Sequence, residues 1–260
     1  VAPTTFSRRE LRRLFGGWAR RNLKTVITST AVVILMLFLA TVFLIWYSPL
    51  GNFRWYLMGL THALLLGAAP VALFMAFLAI NPEAMRQLRG AWGEENTREV
   101  LKSAKHRRLV WGWADSIELA YGDIDHLVVT RRGGLVAIDS KWRNTFNPAD
   151  RDGMARSAEK ARLRANGIVD TVVRAGARGR RSAGQSVRIR PVVVIWGALQ
   201  SEIPESANAH GVDFVPGYRL KRYLKDLRGD PIDRAAASGL LRRVNEFRDN
   251  SKDRRTKART

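Results

Sequence analysis

No Asp, Glu, Lys or Arg stands between Lys24 and Arg54, and none between Arg54 and Glu83. Inside those gaps, residues 25–47 (TVITSTAVVILMLFLATVFLIWY) and 55–80 (WYLMGLTHALLLGAAPVALFMAFLAI) are almost wholly apolar. A helix rises about 1.5 Å per residue, so either run covers a hydrocarbon core of roughly 30 Å. A soluble fold would have to bury both runs on every side. A cleaved signal peptide has a shorter apolar core and no second span behind it. Trp46, Tyr47, Trp55 and Tyr56 flank the short link between the runs, where an interfacial aromatic belt belongs. The reading is a transmembrane hairpin that meets the lipid bilayer through residues 25–80.

The flanking cations orient it. Arg8, Arg9, Arg12, Arg13, Arg20, Arg21 and Lys24 precede the first run against one acid, Glu10, and the link carries only Arg54. Arg86, Arg89, Arg98 and Lys102 follow the second run. The positive-inside rule then places both termini, and everything after residue 83, on the cytoplasmic side of a cytoplasmic (inner) membrane. Residues 1–24 read as a basic segment and 25–82 as the hairpin. His62 has no ionisable partner in either span, so a neutral hydrogen-bonded imidazole is expected rather than a proton relay.

Residues 83–260 carry 36 Lys and Arg against 22 Asp and Glu, an excess that favours an anionic partner, nucleic acid or lipid headgroups. The absence of Cys excludes disulfides, thiolate zinc sites, iron–sulfur clusters and a cysteine nucleophile. No phosphate-cradling Gly-Lys-Ser/Thr loop, paired-histidine zinc helix or serine elbow is present. Pattern and turn signals predict a helix over 94–104, strands over 116–121, 124–130 and 135–142, and an amphipathic helix over 154–175. A buried strand over 190–196, a weaker one over 211–215 and a helix over 218–227 follow. A last helix opens at Pro231, and a charged tail from about Asn250 is expected to be disordered. Residues 83–228 thus read as one α/β domain with an αβββαβ core, and 229–260 as an appended helix and tail.

Asp139-Ser140-Lys141 ends the strand 135–142, and in a strand residues i and i+2 share a face, so the carboxylate and amine project together. Asp125 lies on the partner strand and Glu94 on the preceding helix. Carboxylates on adjacent strands suit Mg²⁺ or Mn²⁺, and a neighbouring lysine can orient or deprotonate a water, or stabilise charge on a phosphate. The same triplet equally fits a structural ion pair. Glu95 competes with Glu94 for the helix position, Asp123 belongs to a turn, and His126 points to the face opposite Asp125. The basic face Arg219, Lys221, Arg222, Lys225 and Arg228 suits a phosphate backbone or equally a simply solvated surface, and Arg178, Arg180 and Arg181 in a glycine-rich loop pose the same choice.

GEENTREVL, GDIDHLVVT and GGLVAIDSKW together resemble the nuclease-related domain (NERD), a branch of the PD-(D/E)XK nuclease superfamily. The resemblance runs from about Gly90 to Leu227, the closing strand and helix matching GVDFVPGYRLKRYLKDL. It implies a restriction-endonuclease-like fold, a divalent metal, a nucleic-acid substrate (DNA before RNA) and phosphodiester hydrolysis. Glu94, Asp125, Asp139 and Lys141 occupy the catalytic positions, the first three also as metal ligands. Asp139 stands where the family more often has Glu, and residues 150–164 lack the Gln that related nucleases carry. The reading is a membrane-anchored metal-dependent nuclease. The alternative is a catalytically inactive, membrane-tethered nucleic-acid-binding or scaffold protein.

Overall fold

The computed structural model describes residues 6–47, 51–119, 122–145, 148–176, 188–204 and 207–257. They form two compact units, divided between Arg89 and Gly90.

The first unit holds α1 (Phe6–Arg21), α2 (Leu23–Tyr47), α3 (Asn52–Ile80) and the start of α4 (Pro82–His106). α2 and α3 are long and apolar enough to cross a membrane, and their large apolar side chains, from Leu23 through Ile80, are mostly exposed. Helices of this composition with almost nothing buried leave a large apolar surface that an apolar surrounding would cover. They fit a hairpin and suggest association with a membrane. Between them Thr41 Oγ1 and His62 Nε2 lie 2.9 Å apart. Thr41 spends its only proton on the Leu37 carbonyl, so the imidazole is the donor. Residues 1–24 are not merely a basic segment: α1 is amphipathic. Its Leu11 and Trp18 are buried with Phe77, Leu78 and Ala84, while Arg12, Arg13, Arg20 and Arg21 stay exposed.

The second unit is built on a six-stranded sheet in the order β1-β2-β3-β4-β6-β5. β1 (Val110–Leu119), β2 (Gly122–Thr130) and β3 (Leu135–Trp142) form an antiparallel meander. α5 (Pro148–Gly176) then carries the chain to β4 (Ile189–Trp196), which lies parallel to β3. β5 (Ala207–Ala209) and β6 (Val212–Pro216) pair as a hairpin, with β6 parallel to β4. α6 (Leu220–Asp226) and α7 (Arg234–Lys257) complete the unit.

Alternation in the strands separates two apolar layers. Leu135, Ala137, Val193 and Ile195 pack with α5, joined at the β1 end by Ala237 and Val244 of α7. Val136, Ile138, Val192 and Val194 pack with Leu101 and Ala104 of α4 and Leu220 and Leu224 of α6. Half of the residues that α5 buries are alanines (Ala155, Ala158, Ala161, Ala165), which lets its first turns lie close to the sheet.

Several boundaries differ from the sequence reading. α4 begins at Pro82 instead of at Gly93, because neither Gly90 nor Gly93 stops a helix that tertiary packing holds. β1 starts six residues before Ser116, passing Gly112 at a register shift. The last helix starts at Arg234 rather than Pro231, capped by Asp233, whose Oδ1 accepts the Ala235 and Ala236 amides. It continues past Asn250 to Lys257, and packs on β1 as part of the sheet unit. Trp111 Nε1 donates to the Ile232 carbonyl at 2.7 Å, fixing the approach to α7.

Candidate metal-dependent active site

β3 runs from the hydrophobic core to the rim of the sheet, and its last residues carry the polar groups. Asp139 and Lys141, two apart, project on one side, with Lys141 Nζ 2.7 Å from Asp139 Oδ1. Asp125, on β2, turns its Oδ2 to the Ser140 amide, which donates to it at 2.7 Å. Asp139 Oδ2 is buried and has no hydrogen-bond partner among the described residues.

α4 is fastened to this end of the sheet by Thr97. Its hydroxyl donates to the Gly93 carbonyl (2.9 Å) and accepts from Trp196 Nε1 and Ser140 Oγ, both at 2.8 Å. Gly93 itself lies against the Lys141–Trp142 peptide, where an ideal Cβ would be 3.7 Å from the Trp142 nitrogen. Glu94, the next residue, is buried beside the end of β3, while Glu95 is half-buried. Gly217 makes room for Trp196: a Cβ there would come within 2.4 Å of the indole ring. Gly217→Ala is therefore expected to displace Trp196, loosen Thr97 and cost about 1–3 kcal/mol, read as a lower urea midpoint.

Electrostatics ties the acids together. Burial, then the charges of Asp139 and Glu94, push the Asp125 carboxyl up to about 7. Glu94 on α4 is thus near enough to act on Asp125. Burial works against the charge on Lys141, but Asp139 and Asp125 outweigh it and raise its pKa. Lys141 is an ammonium ion at neutral pH.

The shift of Asp125 has a thermodynamic consequence. The folded state holds the proton more tightly than the unfolded chain does. Its stabilising contribution is complete below about pH 4 and is lost as pH rises through about 7, by at most ~4 kcal/mol. Urea unfolding in EDTA should therefore show wild type losing stability relative to Asp125→Asn between pH 5 and 8. A difference that does not change with pH would refute the shift.

A second polar cluster lies in the sheet next to the acids. Asp115 of β1 accepts from Arg98 Nε at 2.9 Å and from His126 Nδ1 at 2.6 Å. Burial raises the Asp115 carboxyl, yet the hydrogen bonds and charges of His126 and Arg98 outweigh it and hold it below the usual value. His126 is completely buried on this network, and through Asp115 it joins β2, the strand of Asp125, to β1 and α4. Asp115 is not singled out by the sequence, and Arg98, counted there only as a flanking cation, is buried and paired here. Arg178, Arg180 and Arg181 lie outside the described residues.

The model of the nuclease-related domain matches residues 89–196, under half of the chain. The chain carries a NERD domain. No curated protein and no solved structure gives a significant match. The NERD match contains Glu94, Asp125, Asp139 and Lys141 and ends with β4. The basic residues of α6 thus lie outside it, although they complete the same sheet unit.

NERD domains in general use divalent metals, so the fit of the residues to such an ion matters. Among the described residues no group of three or more His, Cys, Asp or Glu stands ready to hold a metal. Two carboxylates do fit one. Asp139 Oδ2 is an unpartnered buried oxygen, and Asp125 is under repulsion from Asp139 and Glu94 that a cation would relieve. Mg²⁺ commonly takes one or two carboxylates, completing its shell with water and phosphate oxygens.

Proposed function

We propose that the chain is a membrane-anchored, divalent-metal-dependent nuclease that hydrolyses phosphodiester bonds, in DNA before RNA. The observation that carries it is the repelled pair Asp125 and Asp139 beside the Lys141 ammonium, inside a NERD domain. The fold is of the kind expected for a restriction-endonuclease-like core.

In this mechanism Asp125 and Asp139 would hold Mg²⁺ or Mn²⁺, with Glu94 as the third carboxylate of the group. When bound, the ion supplies Lewis acidity, lowering the pKa of water and polarising a phosphoryl oxygen. Lys141 remains protonated, so it does not take the proton of the attacking water. It orients that water and stabilises the negative charge that grows on the phosphoryl group. The Ser140 amide fixes the Asp125 carboxylate, and Thr97 fixes the helix bearing Glu94. Arg219, Lys221, Arg222 and Lys225 attract the phosphate backbone.

The hairpin would place this domain at the cytoplasmic face of the inner membrane with both termini inside, given the seven cations ahead of the first span. Anchoring would confine cutting to nucleic acid close to the membrane.

One observation favours a second reading, a membrane-tethered binding or scaffold protein: the acids do not form a ready three-ligand group. Cleavage separates the two. Supercoiled plasmid, linear DNA and RNA are incubated with the full chain in Mg²⁺, Mn²⁺ or EDTA, beside an Asp139→Ala/Lys141→Ala variant. The nuclease reading expects metal-dependent cutting, fastest on DNA and lost in the variant. Equal inertness of both folded proteins, with nucleic-acid binding retained, would establish the scaffold.

A further inference from the structure

α6 returns from the rim of the sheet toward the start of β4 and leaves a cleft of about 480 Å³ along β6. Arg190, Arg219, Arg222 and Arg228 line it, with Asp226 the only acid on its walls among the described residues. Asp226 is taken up by Arg222, 3.7 Å away. The Tyr223 hydroxyl, also on the wall, donates to Asp213 Oδ2 at 2.7 Å, so its ring is a fixed surface.

Arg190 and Arg228 are held differently from ordinary surface arginines. Arg190 donates to the Arg228 carbonyl at 3.1 Å. Arg228 Nη1 donates to the carbonyls of Lys225 and Leu227 at 2.9 and 3.1 Å. Neither pairs with a carboxylate among the described residues. Arg190 also reaches the Tyr223 hydroxyl, and each guanidinium has five N–H donors in a rigid fork, so both are held in place with donors to spare. That is the arrangement that takes a phosphate oxygen pair at little entropic cost.

We propose that this cleft is a phosphate-binding site that grips the nucleic-acid backbone away from the carboxylates, with Arg190 and Arg228 as its anchors. Arg190 stands opposite Val136, five residues before Lys141 on β3, roughly 17 Å along the strand. Lys221 and Lys225, although basic and on the same helix, do not line the cleft. The inference rests on the nuclease reading for its ligand. It fails separately, because binding is measured without metal and cutting with it.

The test measures binding of a fluorescent 20-base-pair duplex to the full chain in detergent and EDTA, between 50 and 200 mM salt. Wild type is compared with Arg190→Gln/Arg228→Gln and with Lys105→Gln/Lys160→Gln, which remove the same charge at exposed lysines outside the cleft. The cleft variant should lose at least about tenfold in affinity and about 2 in the slope of log K against log salt, the control variant less than about threefold. Arg190→Lys/Arg228→Lys should recover part of the affinity, which a folding defect would not allow. Equal losses in the two Gln variants, or no loss in the cleft variant, would overturn the proposal. So would dAMP binding that depends on the cleft while duplex binding does not, since the site would then take free nucleotides.

Discussion

Lys141→Ala is expected to lower metal-dependent cleavage of DNA by about 10³, with KM changed far less than kcat. The lysine is an ammonium held 2.7 Å from Asp139, so its loss removes charge stabilisation where charge develops, not substrate attraction in general. Lys141→Arg keeps the charge and should recover part of the rate. A general base would behave otherwise: an arginine could not replace it, and activity would require the neutral amine. Cleavage by Lys141→Ala at near the wild-type rate would remove the lysine from the mechanism. A comparable loss in kcat/KM arising wholly from KM would make it a binding residue.

Asp115→Ala is expected to destabilise the sheet unit by about 3–5 kcal/mol, because it leaves the Arg98 and His126 side chains buried without their shared acceptor. Asp115→Asn retains one acceptor oxygen and should cost clearly less. Thermal unfolding followed by circular dichroism gives both numbers. If Asp115→Ala melts within a degree or two of wild type, the cluster does not join α4 to the strands in the way described. The effect reaches the site as well, since Arg98 lies one turn beyond Glu94 on α4, and His126 follows Asp125 on β2.

What was legible from the sequence is what local pattern encodes. The returning strand is found at 135–142 as expected, because β-branched and apolar residues run unbroken from the Gly133-Gly134 turn. Asp139 and Lys141 share a face because a strand has a period of two. The early part of β1 was not legible, since Gly112 interrupts Trp111 and Trp113 and the register shift there breaks the alternation. β5 was missed because it has three residues, and its turn uses His210 and Gly211, both with positive φ, in place of the usual Asn-Gly. Asp115 carries no local signal at all. Its partners lie 17 residues before it and 11 after it, and only the folded sheet brings them together. The arginine cleft is similar: Arg190 comes from a strand that reads as simply buried, and it meets Arg228 only because α6 doubles back.

α1 shows the opposite case. Its cations dominate a reading by composition, but Leu11 and Trp18 sit seven apart and meet Phe77 of α3, so the periodic apolar face was present and overshadowed by charge.

The most direct test of the metal site is Mn²⁺ binding to the full chain, titrated at pH 6 and pH 8, for wild type and Asp139→Asn. With Asp125 titrating near 7, the account predicts one ion bound per wild-type chain, about tenfold or more tighter at pH 8, where the carboxyl has already lost its proton. Asp139→Asn should bind far more weakly at both values. Absence of saturable binding by wild type, or binding that Asp139→Asn and pH leave unchanged, would contradict it.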